Sequence, residues 1–306
     1  RASCRVDRAD GMSARDETAA GPREISIPVA GGALSALIAS GADPCGAILA
    51  IHGGGYTGRY FHAPGQSFLE FAAAAGYCAA AVDRPGYGAL RDRPMPFDAQ
   101  VEVLGEAARW LLAQAGAGLP LFLHGHSIGG MLALLLAGAE AGLPIAGLAM
   151  TGAGAVNHER AAAAIRARAA SPESHSASAP ALRIALMMGP AGSYDPGLAA
   201  FDPGRDVPSS VADLREASAW SARLPAAAAR CSVPVMFVVP EHDALWRSDA
   251  ASLDGVAGLF AHAPFVEVRV QRMAGHAVEL HHVARAHAYR VLAFADECRL
   301  HRAGRR

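Results

Sequence analysis

The sequence predicts an α/β protein with a mostly parallel central sheet flanked by helices. Apolar runs of strand length alternate along the chain with stretches in which apolar residues recur at helical spacing. Several of these runs, such as those ending at Ile51, Leu123 and Val239, are followed within two residues by histidine or acidic residues. Because open α/β sheets bind ligands beyond the carboxyl ends of their strands, chemistry is expected at that edge.

Length and composition fit one large domain. Hydrophobic residues make up 52% of the 306 residues and charged residues 18%, enough for a substantial core. The formal net charge of −1, without a basic patch, argues against a nucleic-acid partner. No uninterrupted apolar stretch reaches the ~18 residues of a membrane span. The five cysteines are widely spaced and predict reduced thiols, so we expect a cytoplasmic protein.

The first half of the chain supplies the predicted elements in a regular order. Residues 1–22 are polar and charged, and they predict a flexible leader without the apolar segment of a signal peptide. Ala30-Gly31-Gly32 joins two alternating segments, 24–29 and 33–38, and predicts a hairpin. Further strands are predicted at 47–51, 77–82, 119–123 and 145–150, with helices at 65–75 and 98–114.

After residue 154 the alternation of strands and helices stops. Residues 155–225 contain an Ala/Arg-rich helical stretch, a Ser/Pro-rich break and a Ser210-x-x-Asp213 spacing that predicts a capping box. The alternation then resumes with strands predicted at 235–239 and 265–270 and with helices at 245–261 and 277–297. The sequence therefore predicts one core, residues 23–154 and 226–298, interrupted by an insertion at 155–225.

Residues 124–130 read His-Gly-His-Ser-Ile-Gly-Gly between a predicted strand and a long Ala/Leu stretch. A Gly-x-Ser-x-Gly motif in this context predicts a tight turn that raises the hydroxyl of Ser127 above the sheet edge. Gly125 and Gly129 leave room for that turn. Such a serine becomes a nucleophile when a histidine can take its proton.

Three other strand ends supply the groups that a nucleophilic serine needs. The strand at 47–51 opens into His-Gly-Gly-Gly, whose amides suit an oxyanion hole together with the amide after the serine. Asp243 follows the strand at 235–239, and His276 follows the strand at 265–270. We predict His276 as the general base and Asp243 as the acid that orients it.

With serine, acid and histidine in this order, the chain resembles the α/β-hydrolase superfamily from about residue 24 to about residue 297. Val-Asp-Arg-Pro-Gly-Tyr-Gly at 82–88 is a further point of resemblance. The resemblance implies the triad Ser127, Asp243 and His276 on a mostly parallel sheet. It also implies that the insertion forms a cap over the site, but it names no substrate because this fold hosts many reactions.

Alternatives remain for two parts of the predicted site. Gly54 and Ile128 are the preferred oxyanion donors, with Gly55 or Tyr56 as alternatives. The nearest rival of the predicted acid is Glu241, whose side chain should point elsewhere if its segment is extended. Asp83 is a weaker rival that better suits bracing the turn after it.

The predicted substrate contacts rest on position alone. Tyr56 is expected at the pocket rim, and His126 adjoins the nucleophile. Met187 and Met188 belong to an apolar patch of the insertion, which lines an acyl pocket or packs the cap onto the core. Trp246 is either a pocket wall or part of the core.

No cofactor and no metal site are expected. The chain holds 13 histidines, so a lone one is uninformative. A metal site made of Glu279 with His281, His282 and His287 is conceivable, but these histidines are expected on the surface of the closing helix. His124 is expected to pack at its strand end.

The resulting hypothesis is a serine hydrolase that cleaves a carboxylic ester, thioester or lactone through an acyl-enzyme. A serine at the elbow argues against haloalkane dehalogenase and epoxide hydrolase chemistry, which in the resembled superfamily uses a carboxylate. Two alternatives stay open: an acyltransferase or cyclase with the same triad, and a non-catalytic ligand-binding protein of this fold. The expected partner is a small molecule with an acyl group, without nucleic acid or membrane, and the oligomeric state is open.

Overall fold

A computed structural model describes residues 21–139, 142–170, 180–204 and 206–304 of the chain. The predicted leader and the Ser/Pro-rich break lie almost entirely outside these ranges. The strands are, in chain order, β1 (Arg23–Val29), β2 (Gly32–Ser40), β3 (Ala47–Ile51), β4 (His62–Ala63), β5 (Gln66–Ser67), β6 (Cys78–Val82), β7 (Leu121–His126), β8 (Ile145–Thr151), β9 (Val235–Pro240) and β10 (Val266–Gln271).

Eight of the strands form one sheet in the order β1-β2-β6-β3-β7-β8-β9-β10, and β4 pairs with β5 in a small separate ribbon. β2 runs antiparallel to β1 and to β6. The other neighbouring pairs of the large sheet are parallel. The predicted fold class, a mostly parallel sheet flanked by helices, is confirmed.

The helices of the described ranges are α1 (Phe68–Ala74), α2 (Phe97–Ala115), α3 (Ile128–Ala137), α4 (Glu159–Ala170), α5 (Pro180–Met187), α6 (Pro196–Phe201), α7 (Val211–Ser218), α8 (Trp220–Ala228), α9 (Ala250–Leu253) and α10 (Ala284–Ala303). Short 3₁₀ turns lie at Gly58–Phe61, Gly88–Leu90, Ala257–Leu259 and Val278–Leu280. Among the helices described, none has the length and apolar character needed to cross a lipid bilayer.

Each face of the sheet carries its own hydrophobic layer, and β3 contributes to both. Leu49 and Ile51 belong to the layer formed with α2 and α3, whereas Ile48 and Ala50 belong to the layer formed with α1 and α10. Because both faces are covered, the inner parallel strands are continuous apolar runs rather than alternating ones.

The predicted N-terminal hairpin is confirmed. Val29 pairs with Gly32, so Ala30 and Gly31 make a two-residue connection between β1 and β2. Gly31 has a φ of +81°, a left-handed conformation that glycine adopts without the steric penalty of a Cβ.

Two helices differ from their predictions. Within 245–261 the structure contains only the four residues of α9 and a 3₁₀ turn. Gly255, with a φ of +76°, turns the chain between them. The closing helix begins at Ala284 instead of residue 277, because the preceding segment forms a 3₁₀ turn that buries Glu279.

Helices α4 to α8 lie between β8 and β9, where the sequence predicts the insertion. Its exact boundaries stay a prediction. α7 begins after Ser210 as expected, but the predicted capping box is wrong. The Ser210 side chain makes no cap hydrogen bond, and the Asp213 carboxylate, which would complete the box, accepts a hydrogen bond from Arg84 in the interior.

Candidate active site

Ser127 occupies the turn between β7 and α3, with φ 52° and ψ −121°, a conformation that residues with side chains rarely adopt. Steric crowding explains the glycines around it. A Cβ on Gly129 would collide with the carbonyl oxygen of Ile51, and a Cβ on Gly125 with the carbonyl oxygen of Gly129. The strained turn places the serine at the carboxyl end of a central strand and at the start of a helix.

Asp243 and His276 form a buried hydrogen-bonded pair. Nδ1 of His276 lies 2.8 Å from Oδ2 of Asp243, and the two side chains are 2% and 0% exposed. Oδ1 of Asp243 accepts hydrogen bonds from the amides of Leu245 and Trp246. With both oxygens held, the carboxylate favours the tautomer in which Nε2 of His276 is the proton acceptor.

The two rival acids make other contacts. Oε2 of Glu241 accepts the amide hydrogen of Met273 at 2.9 Å. Oδ1 of Asp83 accepts the amide hydrogen of Gly58 at 2.7 Å. In the described part of the chain, neither carboxylate is bonded to His276.

The loop after β3 brings the predicted oxyanion donors next to the serine. Gly54 and Ile128 line the same cavity as Ser127. Ile128 is the first residue of α3, so its amide has no partner within the helix and can serve an anion. The alternative donor Gly55 is already engaged, because its amide hydrogen is donated to Oη of Tyr87 at 3.2 Å.

The cavity has a volume of about 130 Å³ and lies between the sheet edge and the helices of the insertion. Ser127 and His276 contribute to its wall. The rest of its wall is mainly apolar and consists of Gly54, Ile128, Met131, Ala161, Ala164, Ile165, Arg168, Arg183, Leu186, Met187, Ser209, Leu214, Ala217, Leu245 and Trp246.

Two of the five predicted substrate contacts, Met187 and Trp246, line this cavity. Tyr56, His126 and Met188 are not among the residues that line it. All three are buried, at 1%, 0% and 6% exposure. The rings of Tyr56 and His126 lie 5.9 Å apart in an aromatic group behind the wall.

His126 contacts His276 from this hidden side. Its Nε2 lies 2.9 Å from the backbone oxygen of His276 and therefore donates a hydrogen to it. Its ring stacks on Tyr60 at 4.3 Å. Burial, and after it the neighbouring His276, lowers the pKa of His126 to about 3, so the ring is a neutral donor. His126 thus positions the loop that carries His276, the predicted general base.

Sequence reasoning missed a buried ion pair that joins the insertion to the loop after β3. Nη2 of Arg84 lies 2.9 Å from Oδ2 of Asp213 in α7, with both side chains fully buried. Oη of Tyr87 donates to the same oxygen at 2.8 Å. Arg84 also donates to the carbonyl oxygens of His52 and Gly53. The available signal was an arginine two residues after a buried strand, where burial demands a carboxylate partner.

A second arginine of the insertion reaches the same loop. The guanidinium of Arg183 in α5 forms an ion pair with Asp202 and donates to the carbonyl oxygen of Gly55 at 3.3 Å. It also covers the ring of Tyr56 at 4.4 Å. Two helices of the insertion therefore hold the loop that supplies the candidate oxyanion donors.

The histidines considered together with Glu279 do not gather around it as one set. Nε2 of His281 accepts two backbone amide hydrogens, and His282 is exposed. His287 does lie beside Glu279, and so does His124. The expected surface position of His281 and His287 is wrong, because the turn before α10 carries this segment into the interior.

Comparison with known proteins agrees with the architecture. The model of a family described as the alpha/beta hydrolase family matches residues 48–290. No curated protein matches the chain. A soluble variant of monoglyceride lipase from Saccharomyces cerevisiae, in complex with a substrate analog, has a TM-score of 0.70 at 17% identity, over 95% of this chain and 99% of that one.

Two further solved structures share the fold. A thermostable carboxyl esterase from Bacillus coagulans has a TM-score of 0.64 at 17% identity, over 91% of this chain and 99% of the esterase. The thioesterase domain from the curacin biosynthetic pathway has a TM-score of 0.62 at 18% identity, over 90% of this chain and 100% of that domain. At such identities the likeness concerns the fold alone.

Proposed function

Since the chain belongs to the alpha/beta hydrolase family, we propose that it is a serine hydrolase that cleaves a carboxylic ester or thioester through an acyl-enzyme. The observation that carries this proposal is the 2.8 Å bond between Asp243 and His276, whose ring lines the same cavity as the strained Ser127. Nucleophile, base and orienting acid are the groups that acyl transfer to serine requires.

In the proposed mechanism Oγ of Ser127 attacks the carbonyl carbon while Nε2 of His276 takes the hydroxyl proton. The amides of Gly54 and Ile128 stabilise the resulting oxyanion. Collapse of the tetrahedral species expels the alcohol or thiol, which receives the proton from His276. A water molecule, deprotonated by the same nitrogen, then attacks the acyl-enzyme, releases the acid and regenerates the serine.

The substrate class is inferred from the cavity and from the relatives. The lipase, esterase and thioesterase of similar fold support an acyl ester or thioester as the substrate. Apolar side chains from the core and from the insertion, which we propose acts as a cap, form the acyl site. Its volume of about 130 Å³ is close to the roughly 150 Å³ that admits benzene, so it favours a short acyl chain.

The test is covalent labelling of the wild type with a fluorophosphonate, followed by intact-mass spectrometry. We expect one adduct on the wild type and none on Ser127→Ala. Ser209→Ala is the matched control, because Ser209 also lines the cavity but is not at the elbow, and it should still be labelled. Labelling of Ser127→Ala, or no labelling of folded wild type, would reject the proposal.

Product analysis then separates hydrolysis from acyl transfer. With a p-nitrophenyl ester as donor, a hydrolase yields the free acid even when an alcohol is added. An acyltransferase yields the new ester instead.

The compartment is proposed on separate grounds. Four cysteines of the described ranges, Cys45, Cys78, Cys231 and Cys298, are free thiols. Unpaired thiols suit a reducing compartment such as the cytoplasm.

A further inference from the structure

A second cluster of ligating side chains lies outside the cavity. His124 in β7, Glu279 in the 3₁₀ turn and His287 in α10 place one nitrogen or oxygen each within 4.8 Å of one another. Nε2 of His124 lies 3.4 Å from Oε1 of Glu279, and all three residues are buried. None of them lines the cavity that contains Ser127.

The cluster leaves polar atoms without partners. Within the described part of the chain, both ring nitrogens of His124 and Oε1 of Glu279 are buried and make no hydrogen bond. Buried polar groups are nearly always paired. Nε2 of His124 and Oε1 of Glu279 are within ion-pair distance at 3.4 Å but are not aligned for a hydrogen bond, an arrangement that a cation bound between them would satisfy.

The surroundings of the cluster orient its members as a metal site requires. Oη of Tyr60 donates to Oε2 of Glu279, the oxygen that faces away from His124. Nε2 of His287 lies 3.2 Å from Oγ1 of Thr151. Hydrogen bonds of this kind, from outer residues to ligating side chains, fix ring and carboxylate orientation at metal centres.

We propose that His124, Glu279 and His287 bind a divalent transition-metal ion, with Zn²⁺ as the best fit. Two imidazoles and one carboxylate are a donor set that suits Zn²⁺ rather than Ca²⁺ or Mg²⁺, which prefer oxygen. Tetrahedral coordination with bonds of roughly 2.1 Å separates neighbouring ligand atoms by about 3.4 Å. That is the distance found between His124 and Glu279.

The ion would connect three elements of the catalytic domain. His124 is three residues before Ser127, and Glu279 is three residues after His276. His287 adds the closing helix. The three side chains leave a fourth tetrahedral position, which a water molecule would complete. Because the ligands lie outside the cavity, we assign the ion a structural role that is independent of the proposed hydrolase activity.

The experiment measures metal in the whole chain rather than activity. Wild-type protein is unfolded with chelator, refolded with a small excess of Zn²⁺ or Co²⁺, passed over a desalting column and analysed by elemental mass spectrometry. We expect about one ion per chain, and with Co²⁺ the visible absorption bands of a tetrahedral site. Glu279→Gln and His287→Gln should retain less than about a fifth of the ion. His282→Gln removes an exposed histidine of the same segment and should retain all of it.

Two results would overturn the assignment. One is refolded wild type without bound Zn²⁺ or Co²⁺, which would mean that water or a proton satisfies the cluster. The other is full metal content in folded Glu279→Gln and His287→Gln, which would place the ion elsewhere. If those variants do not fold, the Co²⁺ spectrum of the wild type decides, because an absent tetrahedral signature also rejects the site.

Discussion

At the scale of single residues, two carboxylates that follow β9 have different partners although they are two positions apart. The carboxylate of Asp243 is hydrogen-bonded to Nδ1 of His276, whereas that of Glu241 accepts a hydrogen bond from the amide of Met273. Extended backbone does not explain this difference, because residues two apart share a face in a strand, and the strand ends at Pro240. After the strand ends, hydrogen bonds rather than spacing decide the direction of each side chain.

Asp243→Asn should therefore lower kcat for ester hydrolysis by about 10⁴-fold, because the amide stabilises the wrong tautomer of His276. Glu241→Gln is the matched control and should keep kcat within a few-fold of the wild type. Steady-state hydrolysis of a p-nitrophenyl ester measures both. Equal losses in the two variants would contradict the assignment of Asp243.

Another residue-scale feature is the neutral state of His52. Its Nε2 accepts the amide hydrogen of Arg84 at 3.1 Å, so Nδ1 carries the proton and donates to the oxygen of Gly53 at 2.7 Å. Burial, and after it Arg84, lowers the pKa of His52 well below its usual 6.5. Protonation would break the bond to the Arg84 amide.

Because the unfolded chain takes up a proton on His52 near pH 6.5 and the folded chain does not, stability is lost as the pH falls below 6.5. Compared with His52→Gln, the free energy of unfolding of the wild type should fall more steeply between pH 6.5 and 5. The difference should approach about 1.4 kcal/mol per pH unit. Urea denaturation at several pH values tests this, with exposed His282→Gln following the wild type. Equal slopes for wild type and His52→Gln would refute it.

At the scale of elements, the turn from β7 to α3 depends on space that only glycine leaves. The backbone of β3 passes directly beside Gly129, which keeps Ser127 in its strained conformation. The elbow is thus a property of two neighbouring strands and a helix, not of the serine alone.

We expect Gly129→Ala to lower the free energy of unfolding by at least about 3 kcal/mol, because neither the Ile51 carbonyl nor the added Cβ can move away. Gly258→Ala is the control, since nothing lies within 4 Å of the Cβ it adds. Chemical denaturation compares the two. A tolerated Gly129→Ala would show that the elbow can relax.

Helix α4 illustrates how an element of the insertion forms the cavity wall. Ala161, Ala164, Ile165 and Arg168 all line the cavity, and their spacing corresponds to one helix face. The small alanines at the start of this face leave the room in which an acyl chain would lie.

Ala161→Phe should fill part of this room and reduce kcat/KM for a butyryl ester at least tenfold, with less than a threefold change for an acetyl ester. Ala163→Phe is the control, because Ala163 is exposed and does not line the cavity. A series of p-nitrophenyl esters provides the measurement. If both variants show the same chain-length profile, α4 does not bound the acyl site.

At the scale of the whole molecule, the insertion is joined to the core through charge as well as through apolar packing. The Arg84–Asp213 pair is fully buried, and Arg84 also donates to the carbonyl oxygens of His52 and Gly53 in the loop after β3. Breaking such a pair leaves an uncompensated charge in the interior.

Asp213→Asn should lower the free energy of unfolding by about 3–5 kcal/mol. Asp98→Asn removes one of two carboxylate partners of Arg223, in an ion pair whose carboxylate is 84% exposed, and it should leave the unfolding midpoint nearly unchanged. Thermal unfolding of both variants is the measurement. Similar midpoints for the two variants would mean that the buried pair does not couple insertion and core.

Prediction from sequence succeeded where a local pattern was sufficient. The buried strands and the hairpin turn at Ala30 and Gly31 are confirmed, because apolar runs and glycine conformations are local properties. Predictions failed where a segment of helical composition forms short turns instead of a long helix, as at 245–261 and before Ala284. The prediction of a capping box at Ser210 was also wrong, and the carboxylate of Asp213 pairs with Arg84 in the interior instead.

By itself, the sequence determined the fold class, the order of the elements along the chain and the candidates Ser127, Asp243 and His276. Each candidate could be found because it comes just after an apolar run of strand length. Only the tertiary structure decided which distant side chains meet. Arg84 and Asp213 are separated by 129 positions, and their pairing depends on how the insertion packs on the loops at the sheet edge. No local window contains that information, because it arises only when sheet and helices are assembled.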